Sequence, residues 1–232
     1  MDPQPTPTTG TRAAKNELFE ALTSVARALS SGRRAEIIEL LAQGERPVEQ
    51  VAEAIGQSVA NTSHHLRTLA GAGLLTSRRE GTYVYYRLAS RRVVDLWRAV
   101  REVSTAHLER IDDLAATYLG NRDELQTITR DELADRLRAG DVVLLDVRPE
   151  PEYRAGHIAA ARSVPVMEVT RRLDELPAGV DVVAYCRGPY CVYADEAVRT
   201  LTRAGRPARR LEDGYPEWED AGLPVESGDR KP

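Results

Sequence analysis

The 232-residue sequence predicts two domains of different class, a mainly α domain ending in a β-hairpin and then an α/β domain built on a parallel sheet. The length exceeds the roughly 100 to 150 residues usual for one domain. Apolar residues recur with helical spacing over the first third, then give way to two strand-like runs around Gly81. Later in the chain, short buried-strand runs alternate with a helical stretch, the order that a parallel sheet requires.

The elements follow in order. Residues 1–12 begin without a basic start or an apolar core, so they read as a disordered arm and not a signal peptide. Helical periodicity then runs through 13–29, 34–41, 48–55 and 59–70, with Gly44, Gly56 and Gly71 marking helix ends. Strand-like runs at 73–77 and 82–88 flank Arg78-Arg79-Glu80-Gly81, where the glycine permits a hairpin turn. A long amphipathic helix is expected over 93–118. Gly120-Asn121-Arg122-Asp123 reads as a hinge, which sets the first domain at 13–120 and the second at 121–232. In the second, Thr129 with Glu132 forms a capping-box pattern, 142–147 and 182–185 are buried-strand runs, and 192–204 is helical.

No apolar stretch approaches the roughly 20 residues that span a bilayer, so no membrane partner is expected and the expected compartment is the cytoplasm. The net charge is −4, unevenly spread: residues 1–120 carry +1, the remainder −5, and the segment 58–92 carries +5. A basic patch on an acidic chain points to nucleic acid. Both cysteines, Cys186 and Cys191, lie five positions apart in the second half, a spacing that suggests chemistry more than stapling.

The helix at 48–55, the turn at Gly56 and the helix starting near Ser58 have helix-turn-helix spacing, and the hairpin behind them supplies a wing. At about 100° per residue, Ser58, Thr62, Leu66 and Leu69 share one stripe, which packs. Ala60, Asn61, His64 and Arg67 take the opposite side, with Ser63 on its flank. These side chains suit base edges and phosphates, while Arg78 and Arg79 on the wing suit phosphates. The competing reading is a helical bundle with a solvated basic face, which the hairpin disfavours. His64 and His65 point about 100° apart, and His107 and Glu109 do not share a helix face, so no metal site is expected.

A strand run leads directly into Cys186-Arg187-Gly188-Pro189-Tyr190-Cys191 and then into a helix start. Backbone N–H groups at that helix end, with Arg187, favour a thiolate, the reactive form of cysteine. The competing reading is a buried small residue at a strand end.

Two family resemblances meet in the chain. Ala28-Leu29-Ser30, Ser63-His64-His65-Leu66, Ala72-Gly73-Leu74-Leu75, Arg79-Glu80-Gly81 and Tyr85-Tyr86-Arg87-Leu88 resemble the ArsR-type winged-helix repressors. That resemblance implies a homodimer on double-stranded DNA with an inverted repeat, and an inducer that loosens binding. With no cysteine in the first half, thiolate sensing there is excluded. Leu145-Asp146-Val147-Arg148, Glu152-Tyr153, Gly156-His157-Ile158, Val164-Pro165, Tyr185-Cys186-Arg187-Gly188 and the run 211–218 resemble the rhodanese family.

The second resemblance implies that Cys186 takes sulfur from a small donor such as thiosulfate or a persulfide and passes it to a thiol acceptor. No cofactor is implied. Asp146 and Arg148 would support the loop or form a structural ion pair, and Gly156-His157 would cap a turn. Pro189 removes one backbone N–H from the cradle. Cys191 adds a thiol that could resolve a persulfide, provided that the two Cα atoms come within about 7 Å. Three readings stay open: a regulator that senses sulfane sulfur or oxidants through Cys186, a sulfurtransferase whose DNA-binding domain localises or autoregulates it, and an inert or arsenate-reducing second domain.

Overall fold

The computed structural model describes residues 10–177 and 179–228, and the chain divides into two compact units. The first holds residues up to Leu41 and Glu45–Trp97, the second Ala42–Gly44 and Arg98 onward. Residues 1–9 of the expected arm lie outside the described residues.

In the first unit, α1 (Arg12–Leu29) starts where the Thr11 hydroxyl accepts the Ala14 N–H at 3.2 Å. α2 (Gly32–Leu41) buries Ile37, Ile38, Leu40 and Leu41. A short β1 (Arg46–Pro47) leads into α3 (Val48–Ala54), and Gly56, at φ 62°, turns the chain toward α4 (Val59–Gly71). Ser58 caps α4 through the Asn61 N–H instead of packing inward. The stripe below it is as expected: Thr62, Leu66 and Leu69 are fully buried. β2 (Leu75–Glu80) and β3 (Tyr83–Leu88) form the hairpin, and β1 joins β3 to make a three-stranded antiparallel sheet. Each apolar side chain buried in this core stabilises it by about 1.5 to 3 kcal/mol.

Two elements differ from expectation. The hairpin turns at Gly81-Thr82, so Arg78 and Arg79 lie within β2, opposite Tyr85 and Val84. The single helix over 93–118 is instead α5 (Arg92–His107) and α6 (Arg110–Leu119). The last turn of α5 carries Ser104 and Thr105, whose hydroxyls donate to the Val100 and Arg101 carbonyls four residues back. Such bonds compete with the helix ladder and bend it.

In the second unit, β4 (Thr127–Ile128) precedes α7 (Arg130–Ala139). Thr129 caps α7 through the Glu132 N–H, while the Glu132 carboxylate accepts from Arg209, so only half of the capping box forms. Then come β5 (Val142–Asp146), α8 (Glu150–Ala155), β6 (His157–Ile158) and β7 (Arg162–Ser163). β8 (Asp181–Tyr185), α9 (Val192–Arg203), β9 (Ala208–Leu211), α10 (Tyr215–Asp220) and β10 (Val225–Glu226) complete the unit. The main sheet runs β4-β9-β8-β5-β7 with every pair parallel, and β6 and β10 form a small antiparallel pair. Cores form on two faces, one around Leu145, Val182, Ala197 and Leu201, the other around Leu133, Leu144, Val183 and Trp218. This is the α/β domain that the sequence predicts.

Candidate functional site

On α4, Ala60, Asn61, His64 and Arg67 are exposed, with Ser63 half-buried on the flank. The buried stripe fixes this orientation, because α4 cannot rotate without bringing Leu66 and Leu69 into water. His65 is partly buried, and burial followed by the nearby Arg34 lowers its pKa, so the neutral ring is favoured. On the wing, Arg79 is exposed. Arg78 is engaged within the protein: it contacts Glu45 at 2.6 Å, pairs with Glu80, and lies 4.4 Å from the Tyr85 ring centroid. Any phosphate contact by Arg78 therefore competes with two carboxylates.

In the second unit, Cys186 directly follows β8, at the carboxy-terminal edge of the parallel sheet, where α/β folds place ligands. Cys191 is the N-cap of α9, and its N–H bonds to the Gly188 carbonyl at 3.1 Å. The two cysteines are joined as a disulfide with Cα atoms 6.3 Å apart, inside the bridging limit. Cys186 is only 2% exposed. The loop rests on the segment before α10: Tyr215 N–H donates to the Cys186 carbonyl at 3.1 Å. A Cβ on Gly214 would lie 2.4 Å from the Gly188 nitrogen, so only glycine fits.

Arg187 forms a two-pronged contact with the buried Glu152 carboxylate on α8, at 2.6 and 3.0 Å. Burial opposes the Arg187 charge, but Glu152 outweighs it and holds the guanidinium protonated. That charge is thus compensated by Glu152, and the amino-terminal end of α9 is the positive feature left beside the thiols. Asp146 and Arg148 are fully buried and pair with each other at 2.5 Å; Arg148 also donates to the Gly156 carbonyl and stacks 4.5 Å from the Tyr215 ring. Tyr185 donates to Asp146 at 2.6 Å and accepts from the Ile158 N–H. Burial and Asp146 push the Tyr185 phenol well above its ordinary pKa, so it stays a donor. Gly156 ends α8, and buried His157 stacks on Tyr153 at 3.7 Å.

Glu152 appeared in the sequence only within a resemblance, and its pairing with Arg187 spans 35 positions. Arg122 and Asp195, which also bound the loop, carried no local signal: Arg122 donates to the Pro189 carbonyl at 2.9 Å and to Asp195 at 2.6 Å. Among the described residues no cluster of three His, Cys, Asp or Glu could hold a metal ion, and no helix is long and apolar enough to cross a membrane.

A winged helix-turn-helix joined in sequence to a rhodanese-like domain defines a class, that of DNA-binding transcription regulators carrying a rhodanese-like module. The bacterial regulatory protein arsR family matches residues 31–77, and the rhodanese-like domain matches 129–221. Over 214 residues the chain is 47% identical to the HTH-type transcriptional regulator Rv0324 of Mycobacterium tuberculosis, covering 92% of this chain and 94% of that protein. The chain belongs to the ArsR family of transcription regulators and carries a carboxy-terminal rhodanese-like domain. Its second half is also 33% identical over 99 residues to a sulfurtransferase of Allochromatium vinosum, covering 42% of this chain and 92% of that protein. Among solved structures, the homodimeric winged helix-turn-helix domain of Mb0332 from Mycobacterium bovis is 42% identical, with a TM-score of 0.41, covering 44% of this chain and 95% of that one.

Proposed function

We propose that this regulator binds an inverted-repeat operator as a homodimer through α4 and the wing, and that the sulfur state of Cys186 sets its affinity. The observation that carries the reading is the pairing of Cys186 and Cys191 in one loop between β8 and α9. Sulfur transfer through a persulfide needs only one nucleophilic thiol, whereas a second thiol in bonding reach adds a reversible dithiol–disulfide pair. Stapling so short a loop removes less chain entropy than stapling a long one, about 2 kcal/mol in the loop-closure model.

The chemistry balances in three steps. The Cys186 thiolate attacks the outer sulfur of thiosulfate, forming a persulfide anion and releasing sulfite, or takes sulfur likewise from a persulfide donor. The Cys191 thiol gives its proton to the departing sulfur as its own sulfur attacks Cys186 Sγ; an S–S bond forms, another breaks, and hydrosulfide leaves. Two equivalents of a cellular thiol later reduce the disulfide and become a disulfide themselves.

Dimerisation is supported by apolar side chains left in water: Leu18, Phe19 and Leu22 on α1, and Leu96, Val100 and Val103 on α5, each set at helical spacing. Mass spectrometry of the reduced chain mixed with thiosulfate or a polysulfide tests the chemistry. The expected sequence is one added sulfur on Cys186, then its loss with formation of the 186–191 bond, in a single round. Sustained sulfite production with Cys191 remaining a thiol would instead mark a sulfurtransferase.

A further inference from the structure

We infer that Arg122 is a positioning residue that couples the thiol state of the cysteine loop to the chain segment leading back to α6; this rests on the sulfur-sensing reading above. Arg122 lies just past Gly120, which ends α6 at a φ of 70°. Its guanidinium reaches two partners at once, the Pro189 carbonyl midway between the cysteines at 2.9 Å and the Asp195 carboxylate at 2.6 Å. Asp195 is fully buried in the first turns of α9 and also contacts Arg210 at 3.3 Å. The same segment is tied to the domain beside this point: Arg199 on α9 donates to the Asn121 carbonyl at 2.8 Å, and the Arg210 N–H donates to the Gln126 carbonyl at 2.9 Å. Of these ties, the one from Arg122 ends on the loop itself.

Loading must move that loop. In the disulfide, Cys191 Sγ holds the bonding position on Cys186 Sγ that the outer sulfur of a persulfide takes. Cys186 is buried, so the added atom finds no room toward solvent and Cys191 must withdraw. Cys191 is both the N-cap of α9 and bonded through its N–H to Gly188, so residues 188–191 rearrange together. Pro189 lies inside that segment, closed by the bond from the Cys191 N–H to the Gly188 carbonyl, so its carbonyl is displaced with it. Arg122, anchored by Asp195, then loses the Pro189 bond or is drawn after it, and either outcome alters the chain at the end of α6.

The test uses the full chain and a duplex spanning the upstream region of its own gene, with affinity read by fluorescence anisotropy for dithiol, Cys186-persulfide and disulfide forms. Arg122→Lys keeps a cation against buried Asp195 while removing the fork that serves both partners, so folding survives. Arg199→Ala removes a neighbouring tie that does not touch the loop. Wild type and Arg199→Ala are expected to differ about fivefold or more between forms, within the usual range for linked sites, and Arg122→Lys to fall within about twofold of unity. Mass spectrometry checks that the 186–191 bond still forms in each. If wild type shows the difference and Arg122→Lys keeps it, or if Arg199→Ala loses it equally, Arg122 is not the coupling residue, although sulfur sensing stands. Loss of the 186–191 bond in Arg122→Lys would place Arg122 in the loop chemistry and also overturn the assignment. No difference among the three forms in wild type would remove the sensing reading itself, and this inference with it.

Discussion

Gly214 shows how tightly single positions govern the cysteine loop. A side chain there would collide with the backbone of Gly188 and Arg187, at 2.4 and 2.5 Å, with no flexible group to yield. Gly214→Ala is expected to keep the winged helix intact while abolishing sulfur loading of Cys186, read by mass spectrometry after thiosulfate. The Asp146–Arg148 pair acts on stability: both side chains are fully buried. Replacing Arg148 by Ala strands a buried carboxylate, and thermal unfolding should show a loss of about 3 to 5 kcal/mol in the rhodanese-like domain. His65 gives the first unit a pH dependence of defined sign. Its pKa is lowered by burial and then by Arg34, so the unfolded chain binds the proton more readily than the folded one. Its contribution is complete above about pH 6.5 and is lost as pH falls from there toward the lower folded value. The melting temperature of His65→Gln should therefore fall less than that of wild type between pH 7 and pH 5; equal falls would contradict this.

At the scale of elements, α4 and the wing differ in how free their arginines are. Arg67 is exposed on the outward face of α4, whereas Arg78 on β2 is already engaged by Glu45 and Glu80. If Arg67 contacts a phosphate in each subunit of the dimer, Arg67→Ala lowers the salt dependence of DNA binding by about two units of slope, while Arg78→Ala changes it less. Measured binding between low and moderate salt checks both; a larger change for Arg78 would reverse the assignment. Much of this was legible in the sequence. The period of 3.6 placed Thr62, Leu66 and Leu69 inside, and the run into Cys186 placed the thiol at a strand end, because both signals are local. What was not legible depended on local competition or distant partners. The break between α5 and α6 follows Ser104 and Thr105, whose hydroxyls bond carbonyls of their own helix, and Ser58 left its stripe to cap. Glu152 and Arg122 meet their partners Arg187, Pro189 and Asp195 across 35 to 73 positions, and no spacing rule marks them.

For the whole molecule, sequence order sets the problem that the protein has to solve: the residues proposed to read DNA all lie before position 93, and both thiols lie after 185. A sulfur atom added to Cys186 can change operator binding only if the two states of the loop differ in free energy for the bound and unbound forms. The coupling is reciprocal, so operator DNA should also shift the ease with which the 186–191 bond forms. The most direct measurement is the equilibrium affinity of the full chain for its own upstream duplex, determined on dithiol, Cys186-persulfide and disulfide preparations at one salt concentration. Distinct affinities for the dithiol and sulfur-modified forms, lost in Cys186→Ser, are the predicted result. Identical affinities for all three would contradict the account and leave the rhodanese-like domain without a part in DNA binding.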